Sequence, residues 1–398
     1  MRISTAAAFD SGIDALSKRR TDLTALQDQM TSGKRVAKAS DDPAAAARAE
    51  RALAGIERTV TSQRAVDASQ VAMAQTESSL GSAGDLMQHA RELMVSAGNG
   101  SYTDSERQTI ANQIKGLRTQ LLTLANQDDG AGTYLFGGQG ATQKPFIDAP
   151  GGVQYAATTG QTLTERTTGL PLTTDGNAAF LTARTGNGVF VTSAGGAVQN
   201  ATIDSGRVSN PTALTSSTYT LQFNVAAGAT TYAVLKDGVA TGVVAAPYVS
   251  GQAIPVDGMT VAVSGSPATG DQFTLAPSTP TLSVFATLDR AVAALQTTGR
   301  TTSQIAQANA DGLRDIDSAM NNLGAARAAA GQVLNRIDSE TSRLDTQKVA
   351  STTERSNAED VDMVHAISDF QNKQSGYDAA LKSYSMVQRL SLFQYVNG

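Results

Sequence analysis

Apolar side chains recur at intervals of three and four residues toward both ends of the chain. Late in the sequence, Ile367, Phe370, Gln374, Tyr377, Leu381, Tyr384 and Gln388 keep this spacing, and Leu392 extends it. That is the rhythm of a coiled-coil seam. Early in the sequence, Phe9, Ile13, Leu16, Leu23 and Met30 fall on one helical face, interrupted by Arg20 and Gln27. An isolated amphipathic helix is marginal in water, since most helical stability comes from burying its apolar stripe. The simplest expectation is that the two ends pair, and that everything between them departs from this pair and returns to it.

The pattern continues inward. A first helix is predicted over 6–32, with Gly33 as its stop and Lys34 and Arg35 beside the negative end of its dipole. Asp42 and Pro43 suit the start of a second helix, one as cap and the other in the first turn, with Asp41 favoured by the positive end of the dipole. That helix is Ala-rich, and Leu53, Ile56, Val60, Leu80, Met87 and Met94 mark its expected buried side. Run through to Ala97, it would be on the order of 80 Å long. Thr103 and Glu106 form a capping box for a third helix, whose Ile110, Ile114, Leu117, Leu121 and Leu124 are spaced 4-3-4-3.

After residue 140 the pattern changes period. Nine of the ten prolines lie between 141 and 280, and only 12 charged residues fall between 140 and 285. Short runs alternate in place of the helical stripe, at 188–192, 218–225, 230–235, 259–263 and 272–275. Lys236-Asp237-Gly238 reads as a turn between strands. Helix returns near Leu282. Ile316, Leu323, Ala330, Ile337 and Leu344 stand seven apart, and Leu313, Met320, Arg327, Leu334 and Thr341 precede them by three. These five heptads are the strongest periodic signal in the chain. The polar stretch 351–359 reads as the lead into the last helix.

The fold class that follows is α+β. Long-helix antiparallel coiled-coil or bundle arms are formed by both chain ends, with an inserted all-β domain. The expected domains are 1–40 with 357–398 as terminal helices, 41–140 with 281–356 as a helical bundle, and 141–280 as the β insert. Ile110, Ile114, Leu117, Leu121, Ile316, Leu323, Leu334 and Ile337 are the expected helical core. The expected assembly interface comprises Phe9, Ile13, Leu16, Leu23, Met30, Ile367, Phe370, Tyr377, Leu381, Tyr384 and Leu392.

Composition narrows the function classes. A net charge of −5 argues against binding nucleic acid by phosphate neutralisation. No apolar run reaches 18 residues, so no membrane-spanning helix is expected, and Met1 to Ala6 lack the continuous apolar core of a Sec-type signal. Cysteine is absent, which removes disulfides, thiolate metal sites and a cysteine nucleophile. Only His89 and His365 could titrate near neutrality. Each stands in a helical pattern without a partner in sequence. The pair Asp41 and Asp42 reads as a helix start before it reads as a metal site, and Asp360 and Asp362 read as first-turn acids of the last helix. Gly137 to Gly140 lack the spacing of a nucleotide-binding loop. No catalytic residue, metal or cofactor is expected, and the chain is not read as an enzyme.

The stretches LQDQMTSGKRVAKASDDP at 26–43 and LANQDDGAGTYLFGG at 124–138 resemble the bacterial flagellin family. The likeness extends through Asn335-Arg336-Ile337 and Glu359-Asp360-Val361-Asp362, and so spans both helical arms. The ending Leu390-Ser391-Leu392-Phe393-Gln394-Tyr395-Val396 is similar to the tail of the family's hook–filament junction branch rather than to that of filament subunits. This resemblance implies a structural protein of the flagellum, extracellular, exported through the flagellar type III channel and self-assembling into a ring-like or helical homo-oligomer. It further implies hook-associated protein 1 and flagellin as neighbours, and a cytoplasmic export chaperone on the C-terminal helix, with no nucleic acid and no membrane as partner. Two other readings stand beside it: a filament flagellin, and, from a different class, a surface adhesin with a coiled-coil stalk.

Overall fold

The computed structural model describes residues 5–164, 169–196 and 198–396, with side chains described over 9–386 of these. The chain divides into two compact units, one of residues 1–64 and 340–398 and one of residues 65–339. Helix α1 is Thr5–Ser32, α2 Pro43–Ala97, α3 Asp104–Ala125 and α4 Gly176–Phe180. Helix α5 is Val284–Gln296, α6 Thr302–Glu359 and α7 Met363–Val396. Strands β1 (Phe146–Ala149) and β2 (Gly152–Tyr155) form a hairpin. Next come β3 (Phe190–Ala194), β4 (Ala201–Ile203), β5 (Arg207–Val208), β6 (Tyr219–Ala226), β7 (Ala229–Lys236) and β8 (Val239–Ala240). The last four are β9 (Ala246–Pro247), β10 (Ala253–Val256), β11 (Met259–Gly265) and β12 (Gln272–Pro277). Long helices at both ends around an inserted antiparallel β region are the architecture expected from the sequence.

In the 65–339 unit the helices obey the predicted seams. On α2, Leu80, Ala83, Met87, Ala90, Met94 and Ala97 are buried. On α3, Ile110, Ile114, Leu117 and Leu121 are buried in the same cluster, as are Ile316 and Leu323 of α6. Ile337 is fully buried and Leu334 half-buried. Helix α3 packs along α5, a separate helix that the sequence reading did not divide from α6. The break falls at 297–301, where Gly299 takes φ +71, a conformation that favours glycine. The capping box forms as predicted: Glu106 N–H donates to Thr103 Oγ1 at 3.3 Å, and Thr103 N–H donates to Glu106 Oε2 at 2.7 Å.

Four phenylalanines close this core. Phe136 and Phe180 meet edge-on at 5.0 Å, and Phe146 lies 5.4 Å from Phe180 and 5.8 Å from Phe285. Aromatic pairs at such angles gain beyond their buried area. Phe146 and Phe180 come from the low-charge stretch after 140, yet they belong to the helical core. Arg118 of α3 pins the hairpin beside them. It donates to both carboxylate oxygens of Asp148, at 2.7 and 2.8 Å, and its Nε stands 2.6 Å from Asp289 of α5.

The remaining strands build a second, separate core. One sheet runs β3-β12-β6-β7-β8, with β9 also on β7, and the other runs β10-β11-β4, with β5 on β11. Phe190, Tyr219, Leu221, Phe223, Val261, Val263, Phe273 and Leu275 fill the space inside. They alternate along each strand with less buried positions, which is the period-two pattern read from the sequence. The predicted turn at Asp237-Gly238 has φ +50 and +81, the paired left-handed values that tight hairpins require.

Helix α2 corrects one reading. Its first part buries Ala45, Ala49, Ala52 and Thr59, whereas Leu53, Ile56 and Val60 are half-buried. The 3–4 spacing holds, but the stripe is carried by small residues one position away from the large ones. A second correction concerns 351–359, read as a polar lead. It is helical, and it closes α6 with an Arg355–Glu359 pair of 2.9 Å across one turn.

Candidate assembly interface

The unit of residues 1–64 and 340–398 brings the chain ends together. Helix α1 ends at Ser32 because Gly33 takes φ +72, and the chain then meets the segment that follows α6. Arg35 and Val36 N–H groups donate to the Glu359 carbonyl at 2.7 and 3.2 Å. Val361 N–H donates to the Gly33 carbonyl at 3.0 Å, so Lys34 and Asp360 form an antiparallel bridge. Arg35 adds a bond from Nη2 to the Ala358 carbonyl at 3.0 Å and an ion pair with Asp42 at 3.3 Å.

Each acid at this junction has a local task. Asp42 Oδ1 accepts the Ala45 N–H at 3.0 Å and starts α2. The Ala45 N–H, with Arg35 beside it, holds the Asp42 carboxyl below its usual range. Asp41 does not act at the helix start. It accepts the N–H groups of Ala37 and Lys38, at 3.1 and 2.8 Å, and closes the turn before it. Asp362 Oδ1 accepts from Val364 and His365 N–H at 3.0 and 3.2 Å, which makes it the cap of α7. Asp360 precedes the helix and accepts from the Ser356 hydroxyl.

From this junction α1 and α7 run antiparallel. The Phe9 and Tyr384 rings meet edge-on, with centroids 5.9 Å apart. A methyl group built on Gly12 would stand 3.4 Å from the Tyr384 ring, and one on Gly376 would stand 2.8 Å from Arg19 Nη1. Small residues at these crossings let the two helices approach closely.

The expected interface residues fall into two sets. Phe9, Leu16, Leu23, Met30, Phe370, Tyr377 and Tyr384 are half-buried. Ile13, Ile367 and Leu381 are exposed, at 49%, 43% and 41% of their surface. Leu392 lies in α7, but its side chain is outside the described residues. The more covered positions within the chain include Leu26 and Ala366, which the sequence reading passed over because it followed large side chains at strict intervals. On α7 the covered face reads Ala366, Phe370, Tyr377, Ala380, Tyr384, one position behind Ile367 and Leu381 where the two differ. Met363 and Val364 are also exposed beside Ile367. No described helix is long and apolar enough to cross a membrane.

The model of the bacterial flagellin N-terminal helical region matches residues 3–141, and that of the bacterial flagellin C-terminal helical region matches residues 313–396. Flagellar hook-associated protein 3 of Escherichia coli is 27% identical over 99% of this chain and 99% of its own length. Its counterpart in Salmonella typhimurium is 37% identical over 38% of this chain, a match that spans 48% of that protein. Among solved structures, FlgL of Xanthomonas campestris is 30% identical and superposes with a TM-score of 0.67, covering 76% of this chain and 99% of its own. With both helical-region models matched and a full-length structural relative at this identity, the chain belongs to the bacterial flagellin family, on the side most similar to hook-associated protein 3.

Proposed function

We propose that this chain is a structural, non-catalytic subunit of the bacterial flagellum that joins the hook to the filament by helical self-assembly. The observation that carries this reading is the exposure of Ile13, Ile367 and Leu381 on helices that already use other positions to hold each other. Apolar side chains left in water on a paired α1–α7 surface offer area that further copies can cover. Ordering that surface is then offset by several interfaces at once.

In this reading 1–40 with 357–398 is the assembly domain. Phe9, Leu16, Leu23, Met30, Phe370, Tyr377 and Tyr384 shape the pair, while Ile13, Ile367 and Leu381 face neighbouring subunits. Hook-associated protein 1 lies below and flagellin above, the subunit leaves the cell by type III export, and a chaperone guards α7 until then. The full-length likeness to hook-associated protein 3 favours this over a filament subunit.

Immunogold labelling of intact flagella separates the two readings. The expected result is a band at the distal end of the hook. Label running along the filament would replace this proposal with the filament reading. In a deletion strain, hooks should persist and flagellin should be shed into the medium.

A further inference from the structure

The two apolar cores of the 65–339 unit share no residue, and the contacts between them are of a different kind. An antiparallel stem joins them. Ala183 and Leu282 exchange both backbone bonds, at 2.9 and 3.0 Å, and Thr185 N–H donates to the Thr279 carbonyl at 3.0 Å. Beyond the stem, one face of α6 and the residue before it reach the β-sheet region with polar side chains.

Gln307 is buried and accepts the Ile203 N–H of β4 on its Oε1 at 2.7 Å. Arg314 donates from Nη1 to the Thr192 carbonyl of β3 at 2.9 Å. Gln304 donates to the Val198 carbonyl at 3.1 Å, and Thr301 and Ser318 donate to the carbonyls of Gln199 and Arg184. Asp311 orients the two central members, since its Oδ1 accepts from Gln307 at 3.1 Å and from Arg314 at 2.8 Å. The positions 304, 307, 311, 314 and 318 follow helical spacing, so this is a polar stripe built along one face of one helix.

From this we infer that the β-sheet region is clasped onto α6 rather than fused to it, and that it can leave this pose while both cores stay folded. Each bond in the clasp exchanges for a bond to water on release, so the bonds oppose opening only by their modest net contributions and can break together without unfolding either core. A stable apolar seam would resist far more strongly. A cleft of about 950 Å³ lies alongside, lined in part by Asn187, Asp204, Asp317 and Asn321, so the clasp already borders open space. The clasp thereby sets the orientation of the outer β-sheet region on a fixed helical core.

Hydrogen exchange on the wild-type chain tests this directly. The Ile203 amide should exchange at least about tenfold faster than the core amides of β12, because it opens with the clasp and not with the sheet. Equal protection at Ile203 and β12 would overturn the proposal. A second measurement uses the absence of native cysteine. Spin labels at Gln113→Cys on α3 and Ser216→Cys before β6 report the separation of the two cores. In the Gln307→Ala, Arg314→Ala double variant the distance distribution should broaden while the calorimetric transitions keep their temperatures. An unchanged distribution, or a fall in either transition, would show that these side chains do not act as a releasable clasp.

Discussion

In the 65–339 unit, aromatic and long aliphatic side chains fill the space between helices. In the unit of 1–64 and 340–398, the larger apolar side chains buried among the described residues are Leu26, Val36 and Leu344, and the other buried positions there are mostly alanines. The first unit gains stability as a globular core does, by removing large apolar area from water. The second brings backbones close and ties them by hydrogen bonds flanking the Lys34–Asp360 bridge, with few large side chains fully buried among its described residues. Its large side chains at Ile13, Ile367 and Leu381 remain in water. The contrast separates residues that make the chain fold from residues that are available once it has folded.

The comparison breaks most visibly at Leu323. This side chain is 1% exposed within the helical core, and truncating such a residue to alanine typically costs about 2–5 kcal/mol. Calorimetry on Leu323→Ala should therefore show a markedly lower Tm. A loss well under 1 kcal/mol would mean that the cluster around it is not what holds this unit. Leu334 is the weaker choice for such a test, because it is only half-buried.

A smaller effect is expected at Asp148. The hydrogen bonds from Arg118 hold its carboxyl below the usual carboxylate range. Stability from a depressed acid is present above the unfolded pKa of about 4 and is lost as pH falls through the folded value. The pair is partly exposed, so its contribution is about 0.5 kcal/mol or less. Wild-type and Asp148→Asn proteins should differ slightly in Tm near neutrality, and the two curves should converge as pH is lowered toward 2. A gap that widens on acidification would contradict the assigned sign.

The smallest change in monomer stability is expected at Leu381. Exposed substitutions usually stay within about 0.5 kcal/mol, so Leu381→Ala should leave the Tm of the soluble chain nearly unchanged. If the assembly proposal holds, the same variant loses filament attachment in a motility assay. A Tm drop comparable to that of Leu323→Ala would place Leu381 in the folded core and erase the distinction between the units.

Much of the fold was legible because periodicity records which face a segment buries. The heptads through Ile316 and Leu323, the 4-3-4 run from Ile110 to Leu121 and the alternation in β6 and β11 each name their own environment. Local chemistry was equally readable at Thr103, Asp42, Gly33 and Gly238, where a cap or a positive φ selects the residue type. The seams of α1, α7 and early α2 were read only to within a residue. At Ala45, Ala49, Ala52, Ala366 and Ala380 the packing is carried by alanines, whose small size draws no attention in a hydrophobic pattern.

The sequence by itself determined that long helices flank a stretch of strands, and the period with which most of these elements bury one face. A period of 3.6 or 2 is a property of the backbone that side-chain chemistry must match. Tertiary structure alone decided which stripes meet. It drew Phe146 and Phe180 into the helical core, paired α3 with α5, aimed Gln307 at Ile203 and left Leu381 in water. Those outcomes depend on where distant segments stand in space, and spacing along one segment carries no record of its partner.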